Sequence, residues 1–407
     1  MVAMCSGQPN RPSKRWGRGV LAAATGLTVV AAMSASGPVV TFTGNKNKTL
    51  EAAGDRNFKF YLEAFSVDSL IDEFGGVDPV HTTDLTGTPF SKDVIDIAGW
   101  RLGRYRRQGP HLIAMQNPSL ATHMAELEAH VPKLVPVDFT GPVVIDYEPW
   151  WALWARTPNS PSSAPVDALD GDYKDDWRDY IRENRPYLLN GLSADEQERV
   201  FQRTYEAFVR TFLLATYYKC KSLRPRAQWS FYNYPQVLIN SDLTPPGVKG
   251  YGDLTHEASE LNDTNDWFYE AVDFVAPRIY PALKVPEQWP PAERQPGEIS
   301  PRVHEAWLSS MVRESVRLAR GKPVLPIHSA IYFSSHPFEH EPVTAYQHEE
   351  VFRILAESGA AGIIVWHGVK DREELDQWRQ LWQNELKPAG INSDRLINGS
   401  GSGGSGS

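Results

Sequence analysis

The sequence predicts an α/β fold, a (β/α) barrel with about seven parallel strands, and three observations support this prediction. Short apolar runs rich in β-branched and aromatic residues recur along the chain, amphipathic helical patterns separate them, and about seven such strand-helix units follow one another. Strands that alternate with helices form parallel sheets, and this many units in one chain favour closure into a barrel. Hydrophobic residues make up 41% of the chain, which is enough for a large core.

Residues 1–37 have the pattern of an export signal. Four basic residues precede an apolar run from Val20 to Ala32, and small residues that suit a cleavage site follow it. The run is shorter than the ~20 residues that a membrane-spanning helix needs, so we expect an exported, secreted protein without stable membrane insertion. Removal of this segment changes the formal net charge from −9 to −13, because it takes away four basic and no acidic residues. This charge argues against nucleic acid as a partner.

The remaining chain divides into a linker, a folded domain and a tail. We expect residues 38–56 to be a linker, residues 57–388 to form a single barrel domain, and residues 389–407 to be a flexible Gly/Ser tail. Cys220 lies in a helical apolar pattern, and its only possible partner, Cys5, lies in the signal segment. We therefore expect a buried thiol and no internal disulfide.

The elements are predicted from apolar periodicity and from helix-capping signals. Strands are expected at 57–65, 111–116, 142–145, 228–232, 274–280, 323–327 and 362–366, and helices at 119–130, 193–222, 302–319, 346–357 and 371–386. The longest helix begins with a capping box, in which Ser193 is the N-cap and Glu196 the N3 residue. The segments 66–108 and 157–168 contain Gly, Pro and Asp or Ser and are expected to be loops.

Two acidic residues follow the predicted strand that begins at Pro142. Successive strand side chains alternate between faces, so Asp146 and Glu148 point to the same side and Tyr147 points away. Two carboxylates this close raise the pKa of one of them, which suits a general acid. From the residues alone, Asp146 could equally be a nucleophile, and a structural ion pair with an arginine remains an alternative for both.

Active sites of such barrels lie at the carboxyl ends of the strands. The polar and aromatic residues expected at this mouth are Glu63, Gln116, Asp146, Glu148, Tyr232, Tyr280, His328 and Trp366. Three tryptophans, Trp150, Trp151 and Trp154, follow the acidic pair, and aromatic rings beside acids suit a sugar. For Glu63, a second cleft carboxylate and an ion-pair or capping role are both open. No second histidine stands at a metal-binding spacing from His328 or His367, so no metal site is expected.

Five segments in order resemble the animal and venom hyaluronidases. These are Gln116–Leu120 with Ala129–Val131, Val144–Glu148 with Trp154–Arg156, Leu223–Pro235, Asn262–Asp263 with Arg278–Tyr280, and Ala356–Trp366. The resemblance covers residues 57–388 and implies a distorted barrel. It implies a retaining endo-glycosidase that cleaves β-linked N-acetylhexosamine glycans, such as hyaluronan or chondroitin, by substrate-assisted catalysis without a cofactor.

The resemblance also assigns roles to individual residues. Glu148 matches the general acid of the family, and Asp146 matches the residue that orients the substrate acetamide. Tyr232 and Tyr280 match the tyrosines that line the acetamide subsite, and Trp366 matches the ring at its floor. Gln116 and Trp151 are further candidates for contact with the polysaccharide. The oligomeric state cannot be predicted.

The chain also departs from the family. It lacks the paired cysteines, the carboxyl-terminal cysteine-rich module and the first-strand pattern, where it has Tyr61–Ala64 instead. Trp151 stands where the family usually has an arginine, so a polyanionic substrate requires other basic groups at the mouth. The candidates for this are Arg101, Arg104, Arg106, Arg107, Arg278 and Lys284. These departures indicate a distant, microbial member. A chitinase-like enzyme that acts on a neutral glycan and a non-catalytic carbohydrate-binding barrel are the alternative interpretations.

Overall fold

The structure is a computed structural model of the 407-residue chain. It describes residues 57–66, 68–102, 114, 120–147, 152–154, 173–235, 256–281, 283–289, 291, 295, 297–332, 338 and 340–399. No helix in these ranges combines the length and the apolar character needed to cross a membrane.

The described strands form two parallel sheets. They are β1 (Lys59–Ser66), β2 (Phe90–Ser91), β3 (Ile95–Ala98), β4 (Pro142–Asp146), β5 (Gln228–Phe231), β6 (Ile327–Ser329) and β7 (Gly362–Val369). One sheet has the order β2-β1-β7-β6 and the other the order β3-β4-β5. All strand pairs are parallel, as predicted.

The two sheets are connected into a distorted ring at both edges. On one side, residues 275–278 form single parallel bridges, which join Tyr232 to Ala276, Val275 to Val324, and Arg278 to Ile327. On the other side, β2 pairs with β1 and β3 pairs with β4, and only three residues separate β2 from β3. Seven extended segments therefore surround one interior, and β2 and β3 act as two halves of one interrupted strand.

The helices lie around this ring. They are α1 (Asp68–Glu73), α2 (Ala121–Leu134), α3 (Tyr173–Asn184), α4 (Ala194–Leu223), α5 (His256–Asp263), α6 (Asp266–Ala271), α7 (Pro301–Ala319), α8 (Ala345–Glu357), α9 (Arg372–Leu381) and α10 (Lys387–Ile397). A π turn at Trp382–Leu386 joins α9 to α10. The predicted capping box is confirmed, because the backbone N–H of Ser193 donates to the Glu196 carboxylate over 2.8 Å.

Alternating strand side chains separate an interior core from two outer cores. Along β4, Val144 belongs to the interior cluster, whereas Val143 and Ile145 pack with the helices α2 and α4. Along β7, Ile364 faces the interior, and Ile363 packs with α8 and α9. Since each strand presents both of its faces to apolar groups, its sequence is nearly continuously hydrophobic.

Several predicted boundaries were wrong. The ring segment between β1 and β4 comes from 90–98, which the sequence analysis placed in a loop, whereas the predicted strand at 111–116 lies almost entirely outside the described residues. Helix α3 was not predicted. The flexible tail was placed too early, since α10 continues to Ile397 and the Asn398 amide exchanges two hydrogen bonds with the backbone of Phe58, at 2.9 and 3.0 Å. The predicted buried thiol is confirmed, because Cys220 is free and fully buried.

Candidate active site at the carboxyl ends of the strands

Asp146 lies at the last position of β4 and faces the interior of the ring. The alternation along β4 places Val144 and Asp146 inside, and it places Tyr147 on the helix side, where its ring lies 5.4 Å from that of Phe212. This arrangement confirms that Tyr147 points away from Asp146. Glu148, the second predicted carboxylate, lies outside the described residues.

Three aromatic residues form a wall beside Asp146. Tyr232 follows β5, Tyr280 follows the bridging segment at 275–278, and Trp366 lies on β7. The rings of Tyr280 and Trp366 are stacked with centroids 6.0 Å apart and planes at 22°, and the ring of Tyr232 lies 6.1 Å from that of Tyr280. Such a flat apolar surface suits the C–H face of a pyranose ring.

The acidic and aromatic residues surround one pocket. It encloses about 560 Å³, including its opening to solvent. Its lining consists of Glu63, Val94, Asp96, Val144, Asp146, Tyr232, Tyr280, Ile327, Ile364 and Trp366. The residues come from both sheets and from the bridging segment, so the pocket exists only when the ring is assembled. An apolar cavity with a few convergent polar groups is the usual form of a small-ligand site.

Glu63 is a pocket carboxyl group whose environment changes its acidity. The pKa of Glu63 is raised to about 8, mainly by burial and to a smaller extent by the nearby Asp78 carboxylate. A hydrogen bond from the backbone N–H of Asp96 and the charge of Arg101 oppose this shift. Since the group is uncharged below about pH 8, the Glu63 carboxyl can act as a hydrogen-bond donor at neutral pH.

Two arginines lie near this pocket. Arg101 is close enough to Glu63 to affect its pKa, and the guanidinium of Arg278 lies 5.8 Å from the ring centre of Tyr280. Lys284, another basic residue considered for the mouth, instead lies 4.7 Å from the ring centre of Phe338. The basic residues Arg104, Arg106 and Arg107 are outside the described part of the chain.

The structure brings together four of the seven predicted site residues, namely Asp146, Tyr232, Tyr280 and Trp366. Glu148, Trp151 and Gln116 lie outside the described residues. Asp96 was missed by the sequence analysis, although it stands between Ile95 and Ile97 and this apolar-polar-apolar alternation is a strand signal. Glu63, for which a cleft position was one of two options, lies in the pocket.

His328 was wrongly expected at the mouth. It is fully buried on the opposite face of β6, where its Nε2 lies 3.1 Å from Nδ1 of His348. Its neighbour Ile327 faces the interior, and adjacent residues of a strand face opposite sides. The outward position of His328 therefore follows from the alternation of side chains along the strand. Burial lowers the pKa of His328 to about 3. His367 is also remote from the pocket, since its ring stacks on Trp378 at 4.8 Å.

The pocket offers carboxyl groups, tyrosine hydroxyls and an aromatic surface. Within the described ranges, no group of three or more His, Cys, Asp or Glu residues is arranged to hold a metal ion. The residues described above can bind and orient a sugar through hydrogen bonds and ring stacking, and they place one carboxyl group, Asp146, at the end of a rigid strand.

Comparison with known proteins identifies the family of this chain. The sequence profile of the hyaluronidases matches residues 111–388, which is more than half of the chain. The chain belongs to the hyaluronidase family. Similar members include a hyaluronidase of Tabanus yao, which is 25% identical over 62% of this chain, and human hyaluronidase-1, which is 25% identical over 68% of it. The predicted resemblance is thereby confirmed.

Solved structures of the family show the same fold. A crystal structure of bee venom hyaluronidase matches with a TM-score of 0.61 and 20% identity, covering 82% of this chain and 99% of that chain. A second one, in complex with a hyaluronic acid tetramer, matches with a TM-score of 0.58. The predicted α/β barrel is confirmed. This hyaluronidase-family chain spans 63% of the Tabanus yao protein and 58% of the human protein.

Proposed function

We propose that this hyaluronidase-family protein is an endo-glycosidase that hydrolyses hyaluronan or a chondroitin-like glycan at β-linked N-acetylhexosamine units. The observation that carries the proposal is the convergence of Asp146 with Tyr232, Tyr280 and Trp366 in one pocket of the family fold. The bee venom enzyme, which shares this fold, has been crystallised with a hyaluronic acid tetramer, and this supports the class of substrate.

In the proposed mechanism, Glu148 protonates the oxygen of the glycosidic bond. The alternation of β4 supports its position, since Val144 and Asp146 face the interior and a residue two positions further is expected on the same side. The acetamide oxygen of the substrate attacks the anomeric carbon, which breaks the bond to the leaving group and forms a cyclic intermediate. Water then opens this intermediate with retention of configuration.

Asp146 orients the acetamide and stabilises the positive charge that develops on it. Its location at the end of a strand paired on both sides supports this role, because a fixed backbone holds the carboxyl group in one position. We assign Tyr232 and Tyr280 to the acetamide subsite and Trp366 to its floor. Gln116 and Trp151 are proposed as further contacts with the polysaccharide.

Two features of the charge distribution favour different glycans. Arg101 and Arg278 lie near the pocket and support an anionic polymer, whose uronates would reach them outside the pocket. Glu63, Asp96 and Asp146 line the pocket itself and support an uncharged ring inside it. A chitinase-like activity on a neutral N-acetylhexosamine glycan is therefore the second candidate, and a non-catalytic carbohydrate-binding barrel is the third. The proposed site of action is outside the cell, after export.

The decisive experiment is a product assay with the purified protein on hyaluronan, chondroitin and oligomers of N-acetylglucosamine. We expect Glu148→Gln to lower turnover by about 10²–10⁴-fold, which is the usual contribution of a general acid. Glu314→Gln, an exchange in an outer helix, serves as the matched control and should leave turnover unchanged. Binding of these glycans without hydrolysis of any would instead support the carbohydrate-binding barrel.

A further inference from the structure

Glu63 faces the pocket because of its position on β1. Tyr61 belongs to the interior cluster, whereas Leu62 and Ala64 pack in the outer core with α8 and α9, so the odd-numbered residues face the interior. In the parallel register of β1 and β7, Glu63 lies directly beside Trp366. Both side chains line the pocket, and the Glu63 carboxyl is therefore adjacent to the ring proposed as the sugar platform.

The hydrogen bonding of Glu63 leaves it able to donate into the pocket. Its carboxyl group accepts a hydrogen bond from the backbone N–H of Asp96 on β3. A protonated carboxyl group has one O–H donor in addition to its acceptor sites, so it can keep the bond from Asp96 and donate a second one. A sugar hydroxyl on the face of Trp366 is a suitable acceptor for that proton.

The charges around Glu63 favour its protonated form at neutral pH. The titratable and charged groups on the elements that face it are Tyr61 on β1, Asp78 in the segment after α1, Asp96 on β3, Arg101 after β3, Asp146 on β4, and Tyr232 and Tyr280 at the ends of the neighbouring segments. The Asp78 carboxylate opposes ionisation of Glu63, whereas the hydrogen bond from the backbone N–H of Asp96 and the charge of Arg101 favour it. Burial adds the largest effect and raises the pKa of Glu63 to about 8.

We propose that Glu63 is a substrate-binding residue whose protonated carboxyl group donates a hydrogen bond to a hydroxyl group of the uncharged hexosamine ring held against Trp366. This inference rests on the proposed function and adds a specific contact to it. The contact selects an uncharged ring at this position, because a uronate would place its own carboxylate beside Glu63, Asp96 and Asp146.

The test measures binding in the inactive Glu148→Gln protein, so that neither turnover nor ionisation of Glu148 affects the result. Two tetrasaccharides are used as probes, one from hyaluronan and one of β-linked N-acetylglucosamine. Titration calorimetry gives Kd from about pH 6 to about pH 9.5, a range in which neither probe titrates. Three variants are made in this background: Glu63→Gln, Glu63→Ala and, as the matched control, Glu206→Gln, which replaces a half-buried glutamate outside the pocket lining.

We expect Kd for both probes to rise about tenfold across pH 8 in the parent protein, which is the usual effect of losing one hydrogen bond. Glu63→Gln keeps a donor and loses the titration, so its Kd should stay within about twofold over the range. Glu63→Ala should bind about tenfold more weakly than the parent below pH 8, should show no rise in Kd across the range, and should approach the parent above pH 8. Glu206→Gln should follow the parent, because its carboxyl group accepts a hydrogen bond from the Trp154 backbone rather than facing the pocket.

Three outcomes would overturn the inference. An equal rise in Kd in the parent and in Glu63→Gln assigns the titration to another group. A rise for the hyaluronan probe alone indicates repulsion of uronates instead of hydrogen-bond donation. Unchanged Kd in Glu63→Ala together with a lower Tm indicates a structural role. If the wild-type chain hydrolyses hyaluronan in each of these cases, the proposed function stands and only the role of Glu63 fails, whereas absence of both hydrolysis and binding overturns both.

Discussion

In the outer helical layer, Glu314 on α7 is 6% exposed, and its carboxylate is fully paired. It accepts hydrogen bonds from the Arg317 guanidinium at 2.7 and 2.8 Å and from the Asn262 amide at 3.1 Å. In the pocket, the Glu63 carboxyl group accepts a hydrogen bond from a backbone N–H and lies near further carboxyl groups. Burial is the largest cause of its raised pKa. Removal of one partner of a buried ion pair destabilises the fold, whereas a buried carboxyl group with a raised pKa in a pocket is a candidate for contact with a ligand.

The largest effect is expected on kcat when a carboxyl group of the pocket is changed. Replacing Asp146 by asparagine removes the charge that stabilises the developing acetamide cation, and kcat should fall about a hundredfold or more. Steady-state kinetics on hyaluronan, with a thermal melt of the same sample, provides the measurement. The matched exchange Glu314→Gln should leave kcat within about twofold. Equal losses in the two variants would remove the distinction between the two regions.

A second prediction compares two tryptophans on opposite faces of the ring. Trp378 is 1% exposed in the outer core, and Trp378→Ala should lower the free energy of unfolding by about 3–5 kcal/mol. Trp366 is half-buried in the pocket, so Trp366→Ala should cost less stability and raise KM about tenfold through lost ring contacts. Urea unfolding and kinetics on both variants check this. An unchanged KM in Trp366→Ala would argue against the sugar platform.

A third prediction concerns the paired glutamate alone. Truncation to Glu314→Ala leaves Arg317 and Asn262 without their shared acceptor, and the free energy of unfolding should fall by about 1.5–3 kcal/mol. The value of kcat/KM per folded molecule should not change, because α7 contributes nothing to the lining of the pocket. Urea unfolding combined with assays well below the unfolding midpoint separates the two quantities. A large loss of kcat/KM would show that this layer also affects the site.

A fourth prediction concerns the pH dependence of stability. The pKa of Glu63 is about 8 in the folded state and near its ordinary value of 4.5 in the unfolded state, so the folded state holds the proton more tightly. The contribution of this group to stability is therefore complete below about pH 4.5 and is lost as the pH rises through 8. Melting temperatures measured from pH 5 to 8 should decline less steeply in Glu63→Gln than in the wild type. Parallel curves would contradict the shifted pKa.

The sequence predicts those parts of the site whose positions depend on the local alternation of side chains. Strand alternation and the common edge of parallel strands predicted that Asp146, Tyr232, Tyr280 and Trp366 lie together, and these four residues line one pocket; their roles in the site stay predictions. The same alternation, applied to Ile327, would have placed His328 on the outer face. Helix α3 was missed although Trp177, Tyr180 and Ile181 have helical spacing and are buried.

The interrupted strand at 90–98 could not be predicted in this way. Its halves contain two and four residues, so the alternation around Asp96 is a weak strand signal, and the pairing of both halves depends on neighbours that are distant in the sequence. For the same reason, the proximity of Asp96 to Glu63 could not be predicted. The raised pKa of Glu63 also depends on the assembled ring, since burial of its carboxyl group requires both sheets.

The junction of β1 with β7 has a consequence for the order of folding. Eight consecutive residues of the first strand pair with the last strand, and the bonds between Phe58 and Asn398 span 340 positions. Contacts of such high sequence separation carry a large loop-closure entropy and slow the folding rate. The segment that carries Glu63 must therefore remain without its partner strand during synthesis until residues 362–369 have emerged. The pocket is completed only at that late stage, so a chain that ends before β7 cannot form it.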